Sequence, residues 1–75
     1  MERYKNIQGN SGVIAFELGA GWIKVQFRDG IYRYTNASAG ATHIRNMQQL
    51  AVAGKGLSTY ISQHVGTRYA SKDAL

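Results

Sequence analysis

The chain predicts a small α+β domain: a three-stranded antiparallel β-meander with two short C-terminal helices packed on one face. Two observations carry this. From Val25 to Tyr34 two alternating segments are joined by Asp29-Gly30, the strongest short-range hairpin signal a sequence holds. From Ile44 onward apolar residues recur at helical spacing, interrupted by glycines suited to end a helix.

Residues 1–11 are polar and run into Gly9-Asn10-Ser11-Gly12, so they read as a flexible lead. The folded domain is expected over residues 12–70, with residues 71–75 as a tail. Val13 to Leu18 alternates and is rich in β-formers, which makes it the first strand of the meander. Gly19-Ala20-Gly21 is a turn, Trp22 to Phe27 the middle strand, and Ile31 to Thr35 the last.

Pairing tests the register. A two-residue Ala20-Gly21 turn sets Leu18 opposite Ile23, Phe16 opposite Val25 and Ile14 opposite Phe27. A two-residue Asp29-Gly30 turn sets Phe27 opposite Tyr32, Val25 opposite Tyr34 and Gln26 opposite Arg33. Both hairpins then put Ile14, Phe16, Leu18, Ile23, Val25, Phe27, Tyr32 and Tyr34 on one face, which a one-residue slip would scatter.

Asn36-Ala37-Ser38 breaks the strand, and Ser38 or Thr42 suits a helix cap. Ile44, Met47, Leu50 and Ala51 form the stripe of the first helix, with Gly54 as its C-terminal glycine. Leu57, Tyr60, Ile61 and Val65 form the stripe of the second, stopped by Gly66. Neither helix is long enough to stand alone. Both must cover the apolar face of the sheet.

Composition bounds the function. Seventy-five residues make one domain, and nine Lys/Arg against four Asp/Glu give a net charge of +5, which favours an anionic partner. No Cys is present, so disulfides and thiolate metal sites are excluded. No apolar run approaches the roughly 20 residues of a membrane span. The polar start Met1 to Asn6 has no apolar h-region. A cytoplasmic protein without a membrane partner is the expectation.

Catalytic groupings are sparse. His43 and His64 fall on different helices with no acidic residue at ligand spacing, so neither a metal nor an acid–base role is expected. Glu17 falls opposite Lys24, which predicts a cross-strand ion pair, and Asp29 belongs to its turn. Gly54-Lys55-Gly56 is no Walker A loop, since no Ser or Thr follows the lysine and no strand precedes it. It does place Lys55 between two flexible residues at a helix start, where a phosphate would fit; an interhelix turn is its simpler use. No enzyme and no cofactor are expected.

The remaining surface is the other face of the sheet: Trp22, Lys24, Gln26, Arg28, Ile31, Arg33 and Thr35. Three cations with one Trp suit stacking and phosphate contact with a single strand of nucleic acid. The same residues suit the solvated face of an antiparallel sheet, or a protein contact through Trp22 and Ile31.

Phe27-Arg28-Asp29-Gly30-Ile31-Tyr32-Arg33-Tyr34, then a helix, then Gly54-Lys55-Gly56 and a second helix, resembles the KTSC domain. That family is named from the C-terminus of some lysyl-tRNA synthetases and also occurs as stand-alone small bacterial proteins. The resemblance spans about residues 11–70; where family members often carry a proline after the Tyr-x-Tyr strand, this chain has Asn36-Ala37-Ser38. It implies a non-enzymatic domain, with RNA binding suggested by association. In the register above, however, Tyr32 and Tyr34 face the core. The leading expectation is therefore an RNA-binding accessory module using Trp22, Lys24, Arg28 and Arg33, with Lys55 as a further cation. The alternative is a protein-interaction module, pairing an exposed edge strand with a partner or a second copy.

Overall fold

The computed structural model describes residues 1–9 and 11–74. Its sheet has five antiparallel strands in sequence order: β1 Glu2–Arg3, β2 Ala15–Gly19, β3 Trp22–Phe27, β4 Gly30–Thr35 and β5 Ser71–Asp73. The helical layer is α1 Asn36–Ala39, α2 Ala41–Ala53 and α3 Leu57–Tyr60, the last running into a π-helical turn, Ile61–Val65. No helix among the described residues is long and apolar enough to cross a membrane.

The α+β class and the meander β2–β3–β4 are as expected, but three strands understate the sheet. The lead supplies β1, paired with β2, and the tail supplies β5, paired with β4. The polar composition of residues 1–11 hides one aromatic anchor. Tyr4 is buried, its N–H donates to the Ile14 carbonyl at 2.9 Å, and its hydroxyl accepts the Leu57 N–H at 3.3 Å. Ile7 N–H donates to the Gly54 carbonyl at 2.8 Å, so the lead is tied to the helical layer as well.

The first hairpin has the expected register, with Phe16 opposite Val25 and Leu18 opposite Ile23. The second differs by two residues. Phe27 pairs with Gly30, so Arg28 and Asp29 form the turn, and Val25 lies opposite Tyr32 and Lys24 opposite Arg33. Gly30 is not needed here for a left-handed turn conformation. It is needed because β5 comes close: a Cβ there would lie 2.6 Å from the Asp73 carbonyl oxygen. A two-residue shift preserves side-chain alternation, which is why the face assignment survives the error.

Phe16, Ile23, Val25 and Tyr34 pack with Ile44, Met47, Ala51, Leu57, Ile61 and Val65 in one core, placing the helices on the predicted face. Phe27 and Tyr32 sit at its margin. Ile14 and Leu18 do not join it and are exposed. Regular pairing of β2 begins only at Ala15, and Val13 and Phe16, three residues apart, both enter the core. Strict alternation fails there and Ile14 is turned out. Leu18, next to the hairpin end, meets the polar flank of α2, beside Arg45, Gln48 and Gln49, rather than its apolar stripe.

The helix cap is Thr35, with Ser38 as its reciprocal partner: Ser38 N–H donates to Thr35 Oγ1 at 3.1 Å and Thr35 N–H to Ser38 Oγ at 3.0 Å. Thr42 does not cap; α2 starts from Gly40, whose φ of 101° no side chain adopts readily. Gly54 and Gly56 both have φ 78°, so the Gly-x-Gly link is a backbone requirement of the α2–α3 corner.

Candidate nucleic-acid interface

The face of the sheet away from the helices carries alternate residues of each strand. Across the strands one row reads Glu17, Lys24, Arg33, Ser71, and the next reads Gly19, Trp22, Thr35. The Trp22 indole lies across Gly19, and a Cβ at that position would run into the ring. Beside it stand the two cations of the neighbouring row. The Arg33 guanidinium carbon is 5.4 Å and the Lys24 Nζ 5.8 Å from the ring centroid, both within cation–π range. The predicted trio of Trp22, Lys24 and Arg33 is thus brought together, with Arg33 directly opposite Lys24 rather than Gln26.

Gln48, which sequence reasoning did not single out, holds this end of the sheet on the helical layer. Its Nε2 donates to the carbonyls of Gly19 at 2.9 Å and Trp22 at 3.0 Å, clamping both flanks of the β2–β3 turn to α2. A polar residue on the sheet-facing side of a helical stripe was the available signal.

Arg28 and Lys55 are not part of the cluster. The shifted register moves Arg28 off the strand into the β3–β4 turn, where it lines a cleft with Arg3 and Lys5. Lys55 lies in the α2–α3 link, in the layer that covers the opposite face of the sheet. The Glu17–Lys24 pairing exists as register but not as an ion pair; among the described residues the one ion pair joins Lys72 Nζ to Asp29 Oδ2 at 3.4 Å. Lys24 is drawn toward the indole instead.

That ion pair belongs to an aromatic cluster at the far edge. Tyr32 donates its hydroxyl to Asp29 Oδ2 at 2.8 Å, and Lys72 Nζ stands 5.0 Å over the Tyr32 ring. The Tyr32 hydroxyl, and behind it Lys72, holds the Asp29 carboxyl below its ordinary value, while Tyr32 and Asp29 raise Lys72. Tyr69 packs edge-on to Tyr32 and Tyr34. Tyr34 donates its hydroxyl to the Gly66 carbonyl at 2.9 Å, and burial, reinforced by Tyr32 and Tyr69, pushes its pKa up to about 12. The Tyr-x-Tyr pair therefore serves the core and its margin, as the face assignment requires.

His43 and His64, expected apart, come together around Tyr60. His43 Nδ1 is 2.7 Å from the Tyr60 hydroxyl, Asn46 Nδ2 donates to that oxygen at 3.1 Å, and the His64 ring stacks on Tyr60 with centroids 4.3 Å apart. Their separate helices gave no sign in the sequence that the two rings meet. Among the described residues no group of three or more His, Cys, Asp or Glu converges on a metal-sized space. No protein-family model, no curated protein and no solved structure matches this chain.

Proposed function

We propose that this domain is a non-enzymatic module that binds single-stranded nucleic acid, RNA in the first instance, through Trp22, Lys24 and Arg33. The observation that carries the reading is the placement of two cations beside one half-buried indole on the sheet face that the helices leave open. An aromatic ring supplies a sequence-tolerant stacking surface, and flanking cations meet the phosphates between successive bases. Glu17 on β2 and the exposed Asp73 on β5 flank the Lys24–Arg33 pair on this face. The resemblance to the KTSC domain points the same way by association only. The edge-strand alternative started from the outer strands of the meander; β1 pairs with Ala15 and Phe16 of β2, and β5 with Ile31 to Arg33 of β4, which leaves less of those edges open.

The test is a salt titration of RNA binding. Lys24→Gln/Arg33→Gln should lower affinity and reduce the slope of log K against log salt by about 1.4, at roughly 0.7 per phosphate contact on a single strand. Trp22→Ala should weaken binding by about 1–3 kcal/mol with the slope unchanged, because stacking releases no counterions. A parent protein with no salt-sensitive binding to single-stranded RNA at micromolar concentration refutes the reading.

A further inference from the structure

At the opposite end of β3 from Trp22 lies an open cleft of about 390 Å³, between the β1 segment, the chain leading into β2 and the β3–β4 turn. Arg3, Lys5 and Arg28 line it, and among the described residues no acidic one does. Tyr4 is anchored in the core, and Arg3, paired with Ala15 in the sheet, falls on the side away from the helices. Lys5 borders the cleft from the helical side, its stem packed on Gly54, where an added Cβ would come within 2.6 Å of Lys5 Cβ. Arg28 joins them because the second hairpin turns at Arg28-Asp29.

The polar groups of the cleft wall have the same polarity as its charges. Asn6 holds a left-handed φ of 52°, and its Oδ1 accepts the Ser11 N–H at 3.1 Å. That bond occupies the carbonyl side of the carboxamide and leaves its NH₂ to donate. Ser11 Oγ accepts the Val13 N–H at 3.1 Å, leaving its hydroxyl proton to donate. Three cations and two residual donors line one cleft with no counter-charge among the described residues, an arrangement that favours an anion. We infer that this cleft is a binding site for a phosphate-class anion, with Arg3 and Arg28 as its principal ligands, Lys5 as a third cation, and Asn6 and Ser11 as neutral donors. Such an anion would be either the terminal phosphate of a nucleic-acid strand or a free small phosphate. The site shares no residue with the Trp22–Lys24–Arg33 cluster and does not rest on it.

Pyrophosphate is the probe, followed by calorimetry and by backbone amide shifts. Saturable binding that weakens with salt and moves the amides of Lys5, Asn6 and Ser11 is expected. Arg28→Gln, in an exposed turn, should lower the affinity on the order of tenfold, as loss of one charge-assisted contact does, and Arg3→Gln/Arg28→Gln should lower it further. Lys24→Gln/Arg33→Gln should leave it unchanged. Thermal melts of each variant establish that it is folded. An oligoribonucleotide with and without a 5′-phosphate separates the two sources: a gain from the phosphate that Arg28→Gln abolishes identifies a strand end, and equal binding identifies the small anion. The inference is overturned if pyrophosphate does not saturate. It is overturned equally if Arg3→Gln/Arg28→Gln binds like the parent, or if Lys24→Gln/Arg33→Gln loses as much, which would mark a response to net charge alone.

Discussion

Truncating Tyr4 tests whether the N-terminal segment is part of the fold. The side chain is 3% exposed and belongs to the main core cluster. Removing a buried aromatic to Ala costs about 3–5 kcal/mol, from lost transfer free energy and the cavity left behind. Tyr4 also accepts the Leu57 N–H, an amide at the start of α3 that has no acceptor within its own helix. Leaving that buried donor unpaired adds about 1–3 kcal/mol. A core of this size supplies only about 3–5 kcal/mol of net stability. Tyr4→Ala should therefore be largely unfolded at room temperature, whereas Tyr4→Phe, losing the acceptor alone, should remain folded but measurably weaker. Urea unfolding followed by far-UV circular dichroism reads both. If Tyr4→Ala unfolds within about 0.5 kcal/mol of the parent, the range of a surface substitution, residues 1–11 are not docked and the reasoning fails.

Three further outcomes are expected. Tyr34 holds its proton more tightly when folded, so its contribution to stability is whole below its ordinary pKa of 10.0 and is lost as pH rises from there to about 12. Melts across that range should show a steeper alkaline loss for the parent than for Tyr34→Phe; parallel curves would refute the burial of the hydroxyl. The Asp29 carboxyl should titrate below 3.8 by NMR, and Tyr32→Phe should move it back up, because the Tyr32 hydroxyl is the largest cause of the depression. Gly19→Ala should push the indole off the sheet, read as a shift in Trp22 fluorescence with a modest change in melting temperature; an unchanged spectrum would show that the ring does not lie on Gly19.

Local chemistry determined much of this domain. Alternation and two short turns specify β2, β3 and β4 and sort their side chains onto two faces, because a strand has only two faces and the helical stripe must cover the apolar one. The same alternation placed Trp22, Lys24 and Arg33 on the open face before any distance was known. Tertiary structure decided what local pattern leaves free. The second hairpin could turn one residue earlier without changing faces, and the close approach of Asp73 to Gly30 accompanies that choice, removing Arg28 from the cationic strip. β1 and β5 are two and three residues long, too short to announce themselves by periodicity, and they exist because paired edges and one buried tyrosine hold them. The cleft of Arg3, Lys5 and Arg28 joins residues some 25 positions apart, and only the folded sheet sets them around one cleft.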